Sequence, residues 1–375
     1  MLAYFPRVYP DELLYSVLAR YHRHTCSQSP KQTIQDLFGA TGVKANVALQ
    51  SRIAALCQNI PADRGLDPEK LIKETTLLPY YVAFATEEVT KFAISQLTDG
   101  HAESVFARLG IAASVISAPD SLRYCPVCLS EMQRQYGEWY WRRSHQLPGV
   151  LLCPDHKVFL VDSSMVPNGE NQHAFIACSL QNCKLLALAK SWECEPQGMT
   201  LLQDIADRSA SLLAAALKHE ECRDWGVYYL AAVRNRGFAK GKQRVDQASF
   251  REAFSRFFAP IANVVPQAFN GDWPVAMVRK HRKAFHPLQH ILLQMFLDRY
   301  PVIVKPADPS FEEGPWECLN HLAEHFGRKV VESLTVRREM DRFVGRFSCA
   351  CGCSYTRVAG SSIPPHIGFF DVSCG

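Results

Sequence analysis

The chain has 375 residues, enough for two or three domains. Its apolar fraction of 47% and charged fraction of 21% are typical of a globular protein, and no apolar run approaches the roughly 18 residues that a membrane span requires. The N-terminus has no charged region followed by an apolar one, so we expect no secretory signal and a cytoplasmic location.

Cysteine content and charge distribution add two expectations. Fourteen cysteines in a chain without a secretory signal favour metal binding over a disulfide scaffold. The net charge of +4 says little about partners, but the charge is unevenly distributed. Residues 234–299 contain 12 Lys and Arg against 4 Asp and Glu, a net charge of +8, whereas the rest of the chain carries −4. The chain therefore has one local basic block.

The first hundred residues predict several short helices with tight turns between them. We expect Asp11 to cap the first helix, because an apolar stripe at helical spacing follows it. Later helix starts are marked by Ser29-Pro30, Asp67-Pro68 and Thr86. Residues 1–117 are thus predicted to form a helical domain of helix-turn-helix type, and a purely structural bundle fits the same pattern.

Residues 118–165 predict a zinc-finger module, because the helical period fades and Cys, Trp, Tyr, Pro and Gly concentrate there. Cys125-Pro-Val-Cys128 and Cys153-Pro-Asp-His156 each place two ligands three residues apart, and we expect the prolines to favour tight turns. Three thiolates and one imidazole complete a tetrahedral Zn²⁺ site. Since the protein fills all four positions, the site is predicted to be structural.

The segment between these two pairs is rich in aromatic residues. We interpret Trp139, Tyr140 and Trp141 as a small core over the zinc site; stacking on bases is the alternative. Arg142 and Arg143 are equally compatible with a contact to phosphate and with a contact to a protein partner.

Residues 166–308 predict a second helical domain with two basic segments. Few acidic residues lie within or near these segments. The second segment directly precedes a predicted amphipathic helix that contains Leu288. Cations at a helix start oppose the macrodipole, a cost that an anion would offset. Duplex DNA is therefore the predicted partner, and a solvated charged turn is the alternative. The candidate DNA contacts are Arg234, Arg236, Lys240, Lys242 and Arg244 in the first segment, and Arg279, Lys280, Arg282 and Lys283 in the second.

Residues 309–375 predict a second, zinc-ribbon-like module. Cys349, Cys351 and Cys353 are clustered, and Cys318 with either His321 or His325 would supply the other ligands of a second Zn²⁺ site; free thiols are the alternative. The irregularly spaced cysteines at positions 178, 183 and 194 are interpreted as small buried apolar residues. Signature motifs of zinc proteases, P-loop NTPases, serine hydrolases and dinucleotide-binding enzymes are missing, so we predict no enzymatic activity.

Longer motifs resemble the TniQ/TnsD family, the target-site selectors of Tn7-like transposons. The motifs are YPDELLYSVLAR at 9–20, RYCPVC at 123–128, YGE at 136–138, HQLPG at 145–149, CPDH at 153–156, Trp273, RKHRKAFHPLQH at 279–290, CLN at 318–320 and FSCACG at 347–352. The resemblance covers nearly the whole chain. It implies a mainly α fold in which helix-turn-helix domains alternate with small zinc modules.

The resemblance also implies a role and a set of partners. Such a protein recognises a chromosomal attachment site on double-stranded DNA and recruits an AAA+ ATPase regulator, which engages the transposase; this implies association with the bacterial nucleoid. It implies zinc ligation by Cys125, Cys128, Cys153 and His156, and it favours His325 as the partner of Cys318, Cys349 and Cys351. The N-terminal region would be the platform for the ATPase.

Two departures and two alternatives accompany this hypothesis. Cys353 stands where the family has an apolar residue, and TnsD proteins usually continue with further DNA-binding helices, so the chain is expected to be truncated at its C-terminus. One alternative is an adaptor that docks on an RNA-guided CRISPR effector, although such adaptors are generally shorter. The other is a zinc-dependent nuclease, which would need an open metal position or a carboxylate cluster.

Overall fold

A computed structural model describes residues 1–167, 171–184, 195–215, 224–241, 244–279, 284–302, 311, 314–339, 342–359 and 366–368. The chain forms two compact units, Met1–Pro301 and Val302–Gly375. The division lies close to the predicted boundary after residue 308, while the boundaries after residues 117 and 165 fall inside the first unit and stay predictions. Helices dominate the described residues, which confirms the mainly α expectation. None of the described helices has the length and apolarity that crossing a membrane requires.

Seven α-helices and a short 3₁₀-helix (Ala62–Arg64) make up the N-terminal part of the first unit. The α-helices are α1 (Leu14–His24), α2 (Pro30–Phe38), α3 (Ile53–Asn59), α4 (Pro68–Thr75), α5 (Leu78–Val82), α6 (Glu87–Asp99) and α7 (Ala102–Arg108). The predicted starts of three of them are confirmed, because the side chains of Ser29, Asp67 and Thr86 accept hydrogen bonds from the first turns of α2, α4 and α6.

The start of α1 differs from the prediction. The helix begins at Leu14, and no side chain caps it. Asp11 has φ 56°, and its carboxylate accepts hydrogen bonds from the Ser144 hydroxyl at 2.6 Å and from Arg142 Nε at 3.1 Å. The cap prediction was wrong because partners far along the chain hold this carboxylate.

A short module with a helix of its own follows. The two-residue strands β1 (Arg123–Tyr124) and β2 (Val161–Asp162) pair antiparallel, and α8 (Pro126–Tyr136) begins directly after β1. The expected loss of helical structure here was therefore wrong in part, because Pro126 is the first residue of a helix. Trp139, Tyr140 and Trp141 are buried, which confirms the core interpretation.

The rest of the first unit is mainly helical, and its core is rich in phenylalanine. Its helices are α9 (Pro196–Ala214), α10 (Trp225–Val233), α11 (Gln247–Ala262), α12 (Trp273–Arg279) and α13 (Pro287–Arg299), with a hairpin of β3 (Ala239–Lys240) and β4 (Arg244–Val245). Phe250, Phe258 and Phe296 are fully buried. The amphipathic prediction for α13 was wrong: nearly every residue from Pro287 to Leu297 is buried, because α5, α9 and α12 surround the helix.

The second unit is made of strands. In it β5 (Trp316–Glu317) pairs with β6 (Lys329–Val331), and an antiparallel sheet has the order β7 (Ser333–Glu339), β8 (Arg342–Ser348), β9 (Ser354–Val358), β10 (His366–Gly368). Phe347 is fully buried and packs against Phe311, Trp316 and Tyr355, with ring centroids 4.9–5.4 Å apart. This small core supports the second cysteine cluster.

Candidate metal centres and basic segments

The four side chains predicted as the first zinc site lie together. The candidate ligand atoms of Cys125, Cys128, Cys153 and His156 are all within 4.8 Å of one another. Cys128 Sγ is 3.7 Å from Cys153 Sγ, and His156 Nδ1 is 3.3–3.6 Å from the three sulfurs. A tetrahedron with Zn–S bonds of about 2.3 Å and a Zn–N bond of about 2.0–2.1 Å has S···S edges of about 3.8 Å and S···N edges of about 3.5 Å. The donor atoms therefore have the spacing that one tetrahedral ion requires.

Local backbone structure explains this convergence. Cys125 is the residue before α8, and Cys128 lies in the first turn of that helix. The other two ligands share a tight turn in which Lys157 N donates to Cys153 O at 2.8 Å and Cys153 N donates to Val158 O at 2.8 Å. Lys157 has φ 56°, a left-handed conformation that turns the chain back after His156 and brings the Val158 carbonyl to Cys153 N.

Three further side chains surround these ligands. Arg142 Nη1 lies 3.2 Å from Cys128 Sγ, and Nε2 of the buried His145 lies 3.5 Å from Cys153 Sγ. Burial lowers the pKa of His145, which favours its neutral form. A carboxylate oxygen of Glu131 lies 3.1 Å from His156 Nε2, the arrangement that orients a metal-binding imidazole. Sequence reasoning missed this outer layer; only the HQLPG motif pointed towards His145.

Arg142 and Arg143 are engaged within the protein. Arg142 forms ion pairs with Asp11 and Asp155, and Arg143 Nη1 donates to the carbonyls of Lys73 at 2.9 Å and Thr76 at 3.2 Å. The sequence left two hypotheses open for these side chains, contact with an external phosphate and contact with a protein partner. Neither contact is needed to explain where the side chains lie. They attach the N-terminal helices to the first cysteine cluster.

A buried charge network, which sequence reasoning missed, joins the same two parts. Arg20 on α1 is 2% exposed; its Nη1 lies 2.9 Å from a carboxylate oxygen of Glu12, and its Nη2 lies 2.7 Å from one of Glu138. Partial burial raises the pKa of Glu138, but hydrogen bonds from Arg20 and His24 outweigh this and lower it to about 2. Charged residues of ordinary spacing carry no sequence signal for such a network.

The second predicted site is also brought together. Candidate ligand atoms of Cys318, His325, Cys349 and Cys351 lie within 4.8 Å of one another. Cys349 Sγ is 3.3 Å from His325 Nε2, and Cys318 Sγ is 3.7 Å from Cys351 Sγ. Cys318 follows β5, and the other two cysteines lie in the turn between β8 and β9. The spacing matches that of the first cluster.

Two residues that the sequence left open lie outside this group. The His321 ring packs on Phe326, with centroids 4.2 Å apart, so the geometry favours His325 as the ligand. Cys353 is 2% exposed, and its carbonyl accepts a hydrogen bond from Cys349 N at 2.8 Å. Its thiol belongs to the small core of the unit.

The remaining irregular cysteines are described only in part. Cys178 and Cys183 are buried, with their sulfurs 3.4 Å apart, which agrees with the interpretation of small apolar residues. Cys194 lies outside the described residues.

The first basic segment follows α10 and includes the β3–β4 hairpin. Lys240 and Arg244 are exposed and directly opposite each other across the hairpin, and Arg234 is half-buried with Nη2 3.3 Å from the carbonyl of Gly241. Lys242, at the hairpin tip, lies outside the described residues. The hairpin thus presents two cations on one small projection.

Arg236 has a different environment from its neighbours. Its Nε donates to the carbonyls of Leu297 at 2.7 Å and Tyr300 at 3.1 Å, and its Nη1 donates to the carbonyl of Ala232 at 3.0 Å. The guanidinium therefore satisfies the last carbonyls of two helices. These contacts give Arg236 a role in packing, and its contact with DNA stays a prediction.

The second basic segment is described at one position only. Arg279 is exposed at the end of α12. Lys280, Arg282 and Lys283 lie outside the described residues, so their role stays a prediction.

Comparison with known proteins gives matches over both halves of the chain. Residues 3–160 match the TniQ family model, and residues 205–366 match the family model of Tn7-like transposition protein D. The chain is 30% identical over 313 residues to the transposon Tn7 transposition protein TnsD of Escherichia coli. This alignment covers 80% of the chain and 59% of that relative, so the chain spans somewhat more than half of its length. The chain belongs to the TniQ/TnsD family.

Proposed function

We propose that this protein selects the target site of a Tn7-like transposon. It binds the DNA of a chromosomal attachment site and recruits an AAA+ ATPase regulator, through which the transposase is engaged. The observation that carries the proposal is the succession of a TniQ match and a transposition protein D match along one chain. The protein acts by binding, without turnover, and works on the bacterial nucleoid.

Both cysteine clusters hold Zn²⁺ in this proposal. Three thiolates and one imidazole at tetrahedral spacing are the donor set of a structural zinc site, and each cluster supplies four protein ligands. The ion at Cys125, Cys128, Cys153 and His156 links β1, α8 and the turn before β2. The ion at Cys318, His325, Cys349 and Cys351 joins the two sheets of the second unit. Zinc binding therefore contributes directly to folding.

The DNA contacts in the first unit are the exposed cations of the β3–β4 hairpin, together with Arg234 and the segment 279–283. Lys240 and Arg244 stand side by side on the hairpin, so both can approach phosphates of one strand. We further propose that helices within residues 1–117 form a helix-turn-helix element and the docking platform for the ATPase; the support is the TniQ match over this region.

The hairpin assignment is tested with the double variant Lys240→Glu, Arg244→Glu. The control is Arg328→Glu, Lys329→Glu, which changes the net charge equally at exposed positions next to and within β6. Binding to duplex DNA is measured by fluorescence anisotropy over a salt series. Each lost phosphate contact lowers the slope of log K against log salt by about 0.9. We expect the hairpin variant to lose affinity and about two units of slope, with the control near wild type; equal behaviour of the two variants would remove the hairpin from the interface.

A further inference from the structure

The sheet of the second unit has two different faces. Side chains directly opposite each other on neighbouring antiparallel strands share a face, and successive residues alternate between faces. Leu334, Phe347 and Tyr355 are in register and pack in the core of the unit. The set displaced by one residue, which includes Thr335, Arg346 and Thr356, therefore lies on the opposite face, away from this core.

This second face is polar and basic. Arg337, Arg342 and Arg346 are exposed on it. Glu339, opposite Arg342, is its one acidic residue among the described positions of β7, β8 and β9. The other described residues of the face are five with hydroxyl groups and two half-buried valines, namely Ser333, Thr335, Ser348, Ser354, Thr356, Val344 and Val358.

The three arginines are regularly arranged. Arg342 and Arg346 are four residues apart on β8, which separates them by about 13 Å. Arg337 stands opposite Val344, midway between them on the neighbouring strand, so each guanidinium stem begins roughly 8 Å from the next. Arg346 Nη2 also donates to Ser354 Oγ at 3.2 Å, which links it to β9. The face thus carries regularly spaced cations on paired strands.

We propose that this face of the second unit binds the sugar-phosphate backbone of duplex DNA. Arginine, serine and threonine are the side chains that contact phosphate oxygens, and duplex DNA carries about one negative charge per 1.7 Å of axis. Three arginines against one glutamate complement that charge. The face is separate from the basic segments of the first unit, and it contributes affinity and orientation rather than base recognition. This inference rests on the proposed DNA-binding function.

The test compares two double variants that remove the same charge. Arg337→Gln, Arg346→Gln alters the proposed face, whereas the control Arg328→Gln, Lys329→Gln alters exposed positions next to and within β6. Anisotropy with duplex DNA over a salt series should show a slope lower by about 1.8 for the first variant, at about 0.9 per contact, and a wild-type slope for the control. An unchanged slope in the first variant, with wild type binding DNA, would overturn this inference alone. Absence of DNA binding by wild type would overturn the proposed function as well.

A conservative pair separates charge from folding. Arg337→Lys, Arg346→Lys keeps both cations and should retain the wild-type slope, because lysine also neutralises phosphate. Zinc content of each variant is measured in parallel, since a disturbed second unit would lose its ion. If the lysine pair lost as much slope as the glutamine pair at full zinc content, phosphate neutralisation by this face would be refuted.

Discussion

Replacing Arg20 by methionine should destabilise the first unit strongly. Arg20 is 2% exposed, and it is held by Glu12, Glu138 and the carbonyl of Arg7 at 2.7–3.1 Å. Methionine fills similar space without charge, so packing changes little. Glu12, which is fully buried, would keep only the hydrogen bonds from Tyr9 N at 3.0 Å and the Ser16 hydroxyl at 2.8 Å.

The size of the effect follows from the charge that is left behind. Removing one partner of a buried ion pair costs about 3–5 kcal/mol. In a unit of this size that lowers the melting temperature by about 6–10 °C, at about 2 °C per kcal/mol. Burial raises the pKa of Glu12 to about 7 even beside Arg20. The charge of Arg20 lowers this pKa, so removing Arg20 raises it further and makes deprotonation of the buried Glu12 more costly above pH 7. The cost of Arg20→Met should therefore be larger at pH 8 than at pH 6.

The assay is thermal unfolding of zinc-loaded protein at pH 6 and pH 8. Arg23→Met is the matched control on the same helix, because Arg23 is 38% exposed and pairs with the same Glu138, so its loss should cost about 0–1 kcal/mol. Adding Glu12→Gln to Arg20→Met should recover part of the loss, since no buried charge then remains. Equal effects of Arg20→Met and Arg23→Met, or no recovery in the double variant, would refute the reasoning.

Three further predictions concern other parts of the molecule. Cys128→Ser should reduce bound zinc from two equivalents to one, measured by elemental analysis; two equivalents in soluble protein would contradict the ligand assignment. Gly149→Ala should lower the free energy of unfolding by about 1–3 kcal/mol more than Gly137→Ala. Both glycines have φ near 75°, but only at position 149 would a Cβ meet the Leu288 side chain, at 2.6 Å. Equal melting temperatures of the two variants would exclude this clash. Burial lowers the pKa of His286 to about 3, so the neutral ring stabilises the fold above pH 6.5 and this stabilisation is lost as pH falls below 6.5. The melting temperature of His286→Asn should therefore fall less than that of wild type between pH 7 and pH 5. Equal falls in the two proteins would contradict this.

The local features of the fold were the predictable ones. Caps at Ser29, Asp67 and Thr86 follow from the chemistry of the first helical turn, which needs no distant partner. The first cysteine cluster was also predictable, because two ligands three residues apart already restrict the geometry of one ion. The second cluster lacks this spacing and was indicated only by the grouping of Cys349, Cys351 and Cys353. The choice of His325 over His321 came from the family resemblance and not from spacing.

What the sequence did not reveal depended on distant contacts. Asp11 was expected to cap α1, but its carboxylate is held by residues more than 130 positions away. The stripe in α13 suggested one apolar face, yet helices on several sides bury the whole helix. Arg236 carries the same charge as its neighbours, and only the fold shows that helix-terminal carbonyls hold it. Periodicity and charge describe one segment at a time and contain no information about which other segment lies against it.

The central claim is target-site selection, and selection of bound fragments from sheared host genomic DNA tests it most directly. The zinc-loaded protein is incubated with the fragments at two salt concentrations, and recovered DNA is sequenced. Phosphate contacts weaken steeply with salt, whereas base contacts preserve the preference for one site. We predict one reproducible locus that survives the higher salt. Uniform recovery across the genome that disappears at the higher salt would contradict site selection by this chain.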